Sequence, residues 1–129
     1  MPGRTLKEAI ALNQVALSAM LKGDCSGYVA LLSNRDDVSW GNPFGPFSIG
    51  RENVETTLAA AAARMQGGST SEPNRIAIYQ ADGIATVVEV ERGDGTAGPF
   101  ELRVTSVYRE EDLDWKLVHR HADPISTPR

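Results

Sequence analysis

The stretch Phe100–Ala122, FELRVTSVYREEDLDWKLVHRHA, decides the fold. Two β-prone runs flank a charged segment, Glu110–Asp114, so the stretch reads as a hairpin with a five-residue loop. Side chains alternate along a strand, which sets Phe100, Leu102, Val104, Ser106 and Tyr108 on one face. Glu101, Arg103, Thr105, Val107 and Arg109 take the other face. The second run divides into Trp115, Leu117, His119 and His121 against Lys116, Val118, Arg120 and Ala122. A loop that sets Arg109 opposite Trp115 pairs Thr105 with His119, Arg103 with His121 and Ser106 with Val118. Arg120 then lies beside Val104 on the helix-covered face. Trp115, Leu117 and Val107 join the histidines on the open face. A slip of one residue would reverse every assignment.

Upstream, Arg75–Gln80 and Ile84–Arg92 are two more strands, joined by the tight turn Ala81-Asp82-Gly83. GDGTAG (93–98) is a looser connection, and GGSTSEPN (67–74) is a loop by composition. The first third of the chain has a different period. Leu6, Ile10, Asn13, Leu17 and Met20 share one face of a helix over Thr5–Lys22, which Gly23 ends. Asp24 is placed to cap a short second helix carrying Tyr28, Leu31 and Leu32. Val38–Asn42 is a short strand. Arg51–Gln66 is a third helix with Val54, Leu58, Ala61 and Met65 on its buried stripe. Helices followed by an antiparallel meander predict one α+β domain over residues 1–129, with helices on one sheet face.

Composition excludes several classes of partner. With 129 residues, 41% hydrophobic and 23% charged, the chain is long enough to bury a substantial core. Its net charge of -4 and lack of a Lys/Arg stripe exclude a nucleic-acid interface. No apolar run reaches the roughly 18 residues of a membrane span. The opening segment shows no signal-peptide pattern, and the single Cys25 forms no internal disulfide, so the expected compartment is the cytoplasm. Cys25 itself reads as an incidental helix-start residue rather than a nucleophile.

WGNPFGPFSIGREN, Trp40–Asn53, raises the question of a site. Two prolines stiffen a loop bearing Phe44 and Phe47, and Asn42 places an amide among aromatics. Asn13, Asn42, Ser106 and Arg120 are all polar and all predicted to face inward. Either each makes a private structural hydrogen bond, or together with Tyr28, Trp40 and Phe44 they line a ligand pocket.

Three landmarks carry a family resemblance: Gly23-Asp24; VSWGNPFG (38–45) with GREN (50–53); and LRVTSVYR…DWKLVHRHADP (102–124). On these the chain resembles the cone-shaped nuclear transport factor 2-like domains, which include ketosteroid isomerases and SnoaL-like polyketide cyclases. The resemblance implies three N-terminal helices packed on a curved, mainly antiparallel sheet. It also implies where an isomerase would keep its chemistry. The general base, an aspartate before Pro-Phe-Gly, falls at Asn42, which cannot abstract a proton. The oxyanion-hole tyrosine falls at Ala16, and its partner acid falls near Ser106. All three positions differ, so steroid isomerisation is not expected.

His119, His121 and Asp123 alternate along the last strand, about 7 Å apart on one face. A metal site needs further ligands, for which only Glu89, Glu91 or Glu101 are offered, and none is expected to form. A His–Asp acid–base pair is a second reading. A polar patch at a two-fold interface between copies of the chain is the favoured one. Three functions therefore stand side by side. One is a homodimeric domain that binds a small apolar or carbonyl-containing molecule, with Asn42 and Ser106 as hydrogen-bonding groups and Arg120 holding an anion; no cofactor is called for. The alternative is a cyclase- or hydrolase-type enzyme with a histidine base, or a dimerisation module without catalysis.

Overall fold

The computed structural model describes residues 3–43, 45–65 and 67–125. Three helices, α1 (Leu6–Met20), α2 (Ser26–Leu31) and α3 (Arg51–Ala63), precede most of the sheet. Its strands are β1 (Ser39–Gly41), β2 (Ser48–Ile49), β3 (Ser69–Thr70), β4 (Asn74–Ala81), β5 (Ile84–Gly95), β6 (Gly98–Glu111) and β7 (Asp114–Pro124). The sheet order is β2-β1-β7-β6-β5-β3, with β4 also pairing β5, and among the described strands the β1–β7 pair alone is parallel. The expected α+β architecture, with helices on a mainly antiparallel sheet, is what forms. None of its helices is long and apolar enough to cross a membrane, among the described residues.

Local chemistry sets the helix ends. Thr5 and Glu8 form a reciprocal capping box at the start of α1. Cys25, not Asp24, is the N-cap of α2, while the Asp24 carboxylate accepts from the Ser26 amide at 2.9 Å. The landmark Gly50-Arg51 also has a physical basis. Gly50 takes φ +91°, a conformation that L side chains rarely adopt. Arg51 then reaches back to α2, donating to the Val29, Leu32 and Ser33 carbonyls at 2.8–3.0 Å. Those are carbonyls the helix end leaves without intrahelical partners. The clamp holds Tyr28 of α2 against Trp40, their ring centroids 5.1 Å apart in an edge-on pair.

Leu31, Val54, Leu58, Val87, Tyr108 and Leu117 are fully buried between the helices and the sheet. Each such apolar side chain contributes about 1.5–3 kcal/mol by leaving water.

The hairpin that decides the fold differs from its expected register. Its connection is a two-residue turn, Asp112-Leu113, with Glu111 paired to Asp114 and Glu110 to Trp115. Both turn residues have positive φ, 52° and 64°, the geometry that matches the twist of the flanking strands. Asp-Leu carries little of the Asn-Gly signal usual for such a turn, so the sequence suggested a longer loop. Likewise β5 and β6 continue through GDGTAG until Gly95 pairs with Gly98.

A second departure matters more. Tyr108 pairs with Leu117 and Val107 with His119, so Val118 is an extra residue, a β-bulge. The bulge changes the parity of β7 midway. Trp115 and Leu117 before it and Arg120 and Ala122 after it all point into the helix-covered core. The expectation that Trp115 and Leu117 lie outside with the histidines is therefore corrected. Arg120 does face inward, but opposite Ser106, and His121 sits opposite Thr105.

Candidate functional site

The helices leave a cavity of about 390 Å³ against the sheet. Leu17 and Met20 from α1 and Leu21 at its C-cap form one side, and Ala61, Arg64 and Met65 at the end of α3 form another. Trp40, Phe100, Leu102 and Ala122 supply apolar wall from the sheet, and the Gly95–Pro99 turn completes the lining. Tyr28, Asn42 and Arg120 are its polar-bearing members from the expected set. Four expected residues thus meet here: Tyr28, Trp40, Asn42 and Arg120. Phe44 lies outside the described residues. Phe47, from the same loop, lies across the sheet from the cavity. Its ring is 6.3 Å from that of His119 and 5.3 Å from that of His121. Gly41 makes room for it, since a Cβ there would come within 2.3 Å of the Phe47 ring.

Arg120 does not wait for an anion, as its sequence position suggested. Its two terminal nitrogens donate to Glu91 at 2.8 and 2.6 Å, a bidentate pair in which each side chain is only 6% exposed. Its guanidinium carbon also lies 5.7 Å from the centre of the Tyr28 ring. Burial opposes the charge on Arg120, but the Tyr28 and Glu91 oxygens more than offset it and hold its pKa above the usual value.

Asn13 and Ser106 are corrected as well. Neither lines the apolar cavity. Asn13 Nδ2 donates to Tyr108 Oη at 2.7 Å and to Ser106 Oγ at 3.4 Å, a cross-link between α1 and β6. Burial, partly offset by Asn13, pushes the Tyr108 phenol up to about 12. Asn13 borders a second cavity of about 400 Å³ between α1 and the β3–β4 edge, with Glu89 and Glu91 in its wall. The sequence offered these two inward carboxylates only as residues to complete a metal site with the histidines, from which they are separated by the sheet. Glu89 is paired with Arg75 at 3.0 Å. Two buried polar atoms have no hydrogen-bond partner among the described residues: Asn13 Oδ1 and the Tyr28 hydroxyl.

His119, His121 and Asp123 stand on the outer sheet face. Two of the three are bonded to other residues. Asp123 pairs with Arg103 at 3.0 Å, and His119 Nδ1 lies 2.8 Å from Ser39 Oγ, bridging β7 to β1. Among the described residues no group of three or more His, Cys, Asp or Glu is arranged to hold a metal ion.

Half-burial, together with the neighbouring His121, lowers the His119 pKa below the ordinary 6.5, although the Ser39 bond opposes this. As pH falls below about 6.5, the unfolded chain takes up the His119 proton first, so stability declines until the lower folded pKa is passed. The depressed carboxylates of Asp37, Glu111 and Asp114 act in a more acid window, losing their contribution as pH falls through their folded pKa values. Between pH 8 and 5.5, urea unfolding should therefore show a loss that His119→Asn reduces. Equal losses in parent and variant would contradict the assignment.

A family model described as SnoaL-like domain matches residues 10–126. No curated protein matches the sequence. Among solved structures, one from Thiobacillus denitrificans, named provisionally as a calcium/calmodulin-dependent protein kinase type II association domain, superposes with a TM-score of 0.83. It is 20% identical, and the match covers 98% of this chain and 99% of that one. A protein of the nuclear transport factor 2-like family from Streptomyces avermitilis, named provisionally as a dehydratase, has a TM-score of 0.77 at 22% identity, covering 93% and 96% of the two chains. A ketosteroid isomerase-like protein from Erwinia carotovora has a TM-score of 0.73 at 15% identity, covering 95% and 97%. At these identities the likeness is one of fold, and the cone is known to carry many chemistries.

Proposed function

The chain belongs to the SnoaL-like domain family, and from that footing we propose that it is a homodimeric binding domain for a small, mainly apolar molecule. The observation that carries this reading is the 390 Å³ cavity, whose wall is built from Leu17, Met20, Leu21, Trp40, Met65, Phe100 and Leu102. Its volume falls in the range of small-molecule sites, and its few polar groups sit among apolar ones, as such sites require. Isomerase chemistry finds no base in the cavity, because Asn42 lines it where the aspartate would be. A cyclase or hydrolase using His119 or His121 gains no support either, since both rings lie on the far side of the sheet with Phe47.

Dimerisation is supported by the outer sheet face. Tyr79 pairs with Thr86 and Ile84 with Ala81, so both large side chains project outward, 64% and 45% exposed. Val88, Val90 and Val107 continue the patch across β5 and β6. Exposed apolar side chains on one sheet face favour association, and a second copy is the occupant proposed here.

One sedimentation experiment tests both parts. At micromolar protein, the uncharged naphthalene dye prodan should travel with a boundary at twice the chain mass of 13.9 kDa. Ala61→Trp, which fills the cavity from α3, should weaken dye binding about tenfold or more while leaving the boundary in place. Dye that stays behind the protein would overturn the binding reading. A boundary at the single-chain mass would overturn the dimer.

A further inference from the structure

The chain has 17 Asp and Glu residues, yet among the described residues none of them lines the apolar cavity. The charged lining residues are Arg64 and Arg120, and they differ in state. Arg120 is buried and paired with Glu91. Arg64 is exposed, and among the described residues its side chain has neither an ion pair nor a hydrogen bond. Capping does not occupy that side chain either. The Arg64 backbone amide closes α3, donating to the Ala61 and Ala62 carbonyls. Exposure also divides the lining into an interior and a mouth. Leu17, Met20, Trp40 and Ala122 are buried, whereas Pro43, Arg64, Thr96 and Pro99 are exposed. The mouth therefore carries one charge among the described residues, and it is positive in a chain whose net charge is -4.

We propose that Arg64 is the specificity-determining residue of the cavity, holding at its mouth the carboxylate of an amphiphilic organic acid whose apolar body fills the interior. This rests on the binding reading above and adds the ligand class to it. Energetics fix which end of the ligand enters. A carboxylate pushed in among Leu17, Met20 and Trp40 would lose its water and find Arg120 already paired, at a large cost. At the mouth it keeps water on one side and accepts two parallel N–H bonds from the guanidinium fork. A cationic amphiphile would meet Arg64 as a like charge, with no acid in the described lining to receive it. A neutral molecule fills the same space but gains nothing from that charge. A phosphate monoester carries close to two negative charges, of which a single arginine offsets only part. A carboxylate, with one charge and two oxygens in a plane, is the head group that this mouth matches.

The test compares 2-naphthylacetate with 2-naphthylacetamide, a neutral probe of nearly equal shape. Calorimetry gives both affinities for the parent, for Arg64→Gln and for Arg64→Lys. The ratio of acid to amide affinity should fall about three- to tenfold in Arg64→Gln, the scale of a charge-assisted bond at a partly solvated site. Arg64→Lys keeps the charge but not the fork, and its ratio should lie between the two. Raising the ionic strength to about 1 M should narrow the parent's ratio toward that of Arg64→Gln. Both variants should melt close to the parent, because the exchanged side chain is exposed. An unchanged ratio, with both probes binding, overturns the role of Arg64 and leaves the cavity reading standing. Binding of the amide alone overturns the acid class and also leaves the cavity reading standing. Failure of both probes to bind the parent overturns the cavity reading and this inference with it.

Discussion

Glu91→Leu alone should destabilise the protein by about 3–5 kcal/mol, because it leaves the Arg120 charge buried without its partner. Domains of this kind have a total stability of about 5–15 kcal/mol, so the single variant sits near the edge of folding. The double variant Glu91→Leu/Arg120→Met should recover most of that loss. Removing both charges also removes the cost of keeping them out of water, and apolar replacements of similar size are often neutral or better. Urea titration of the four proteins in the cycle measures the coupling. A Glu91→Leu loss below about 1 kcal/mol would match a surface ion pair instead. It would mean that the 2.6 and 2.8 Å contacts do not hold a buried charge in solution.

Deleting Val118 should have a still larger effect. Without the bulge, β7 has a single parity, and it must turn either Trp115 and Leu117 or Arg120 and Ala122 away from the core. The first choice exposes two large buried side chains, at about 1.5–3 kcal/mol each, and empties the space they fill. The second breaks the Glu91 pair. Either removes a large share of the usual stability of a domain, so the deletion variant should melt far below the parent. Val118→Ala keeps the residue count and the bulge, and it should melt cooperatively with a loss of about 1 kcal/mol, typical of a single substitution. A deletion variant with a parent-like melt would show that the two halves of β7 do not depend on the extra residue.

Much of the architecture was legible because it is written in short-range periods. The spacing of Leu6, Ile10, Asn13, Leu17 and Met20 is that of a helix face, and Ala9, Asn13, Ala16, Leu17 and Met20 are the buried residues of α1. Gly50-Arg51 and Trp40–Asn42 stood out before their contacts were known. The site was legible only in part. Asn42, Trp40, Tyr28 and Arg120 do share a cavity, whereas Asn13 and Ser106 bond to Tyr108 instead.

By itself, then, the sequence determined the order of the helices and long strands, the helix faces, the α+β class and an amide rather than a carboxylate at Asn42, since each depends on residues close together in the chain. Which way β7 faces was left to the tertiary structure. Val118 has no local signature as a bulge, and DWKLVHRHA reads equally well in either parity; only pairing with β6 and burial under the helices select the answer. The same holds for β5. Hydrophobicity alone would favour Val88 and Val90 as the inner set, yet Glu89 and Glu91 are the buried ones. Their partners Arg75 and Arg120 lie 14 and 29 residues away. A buried carboxylate is tolerable only where such a partner has been brought to it, and folding alone brings these together.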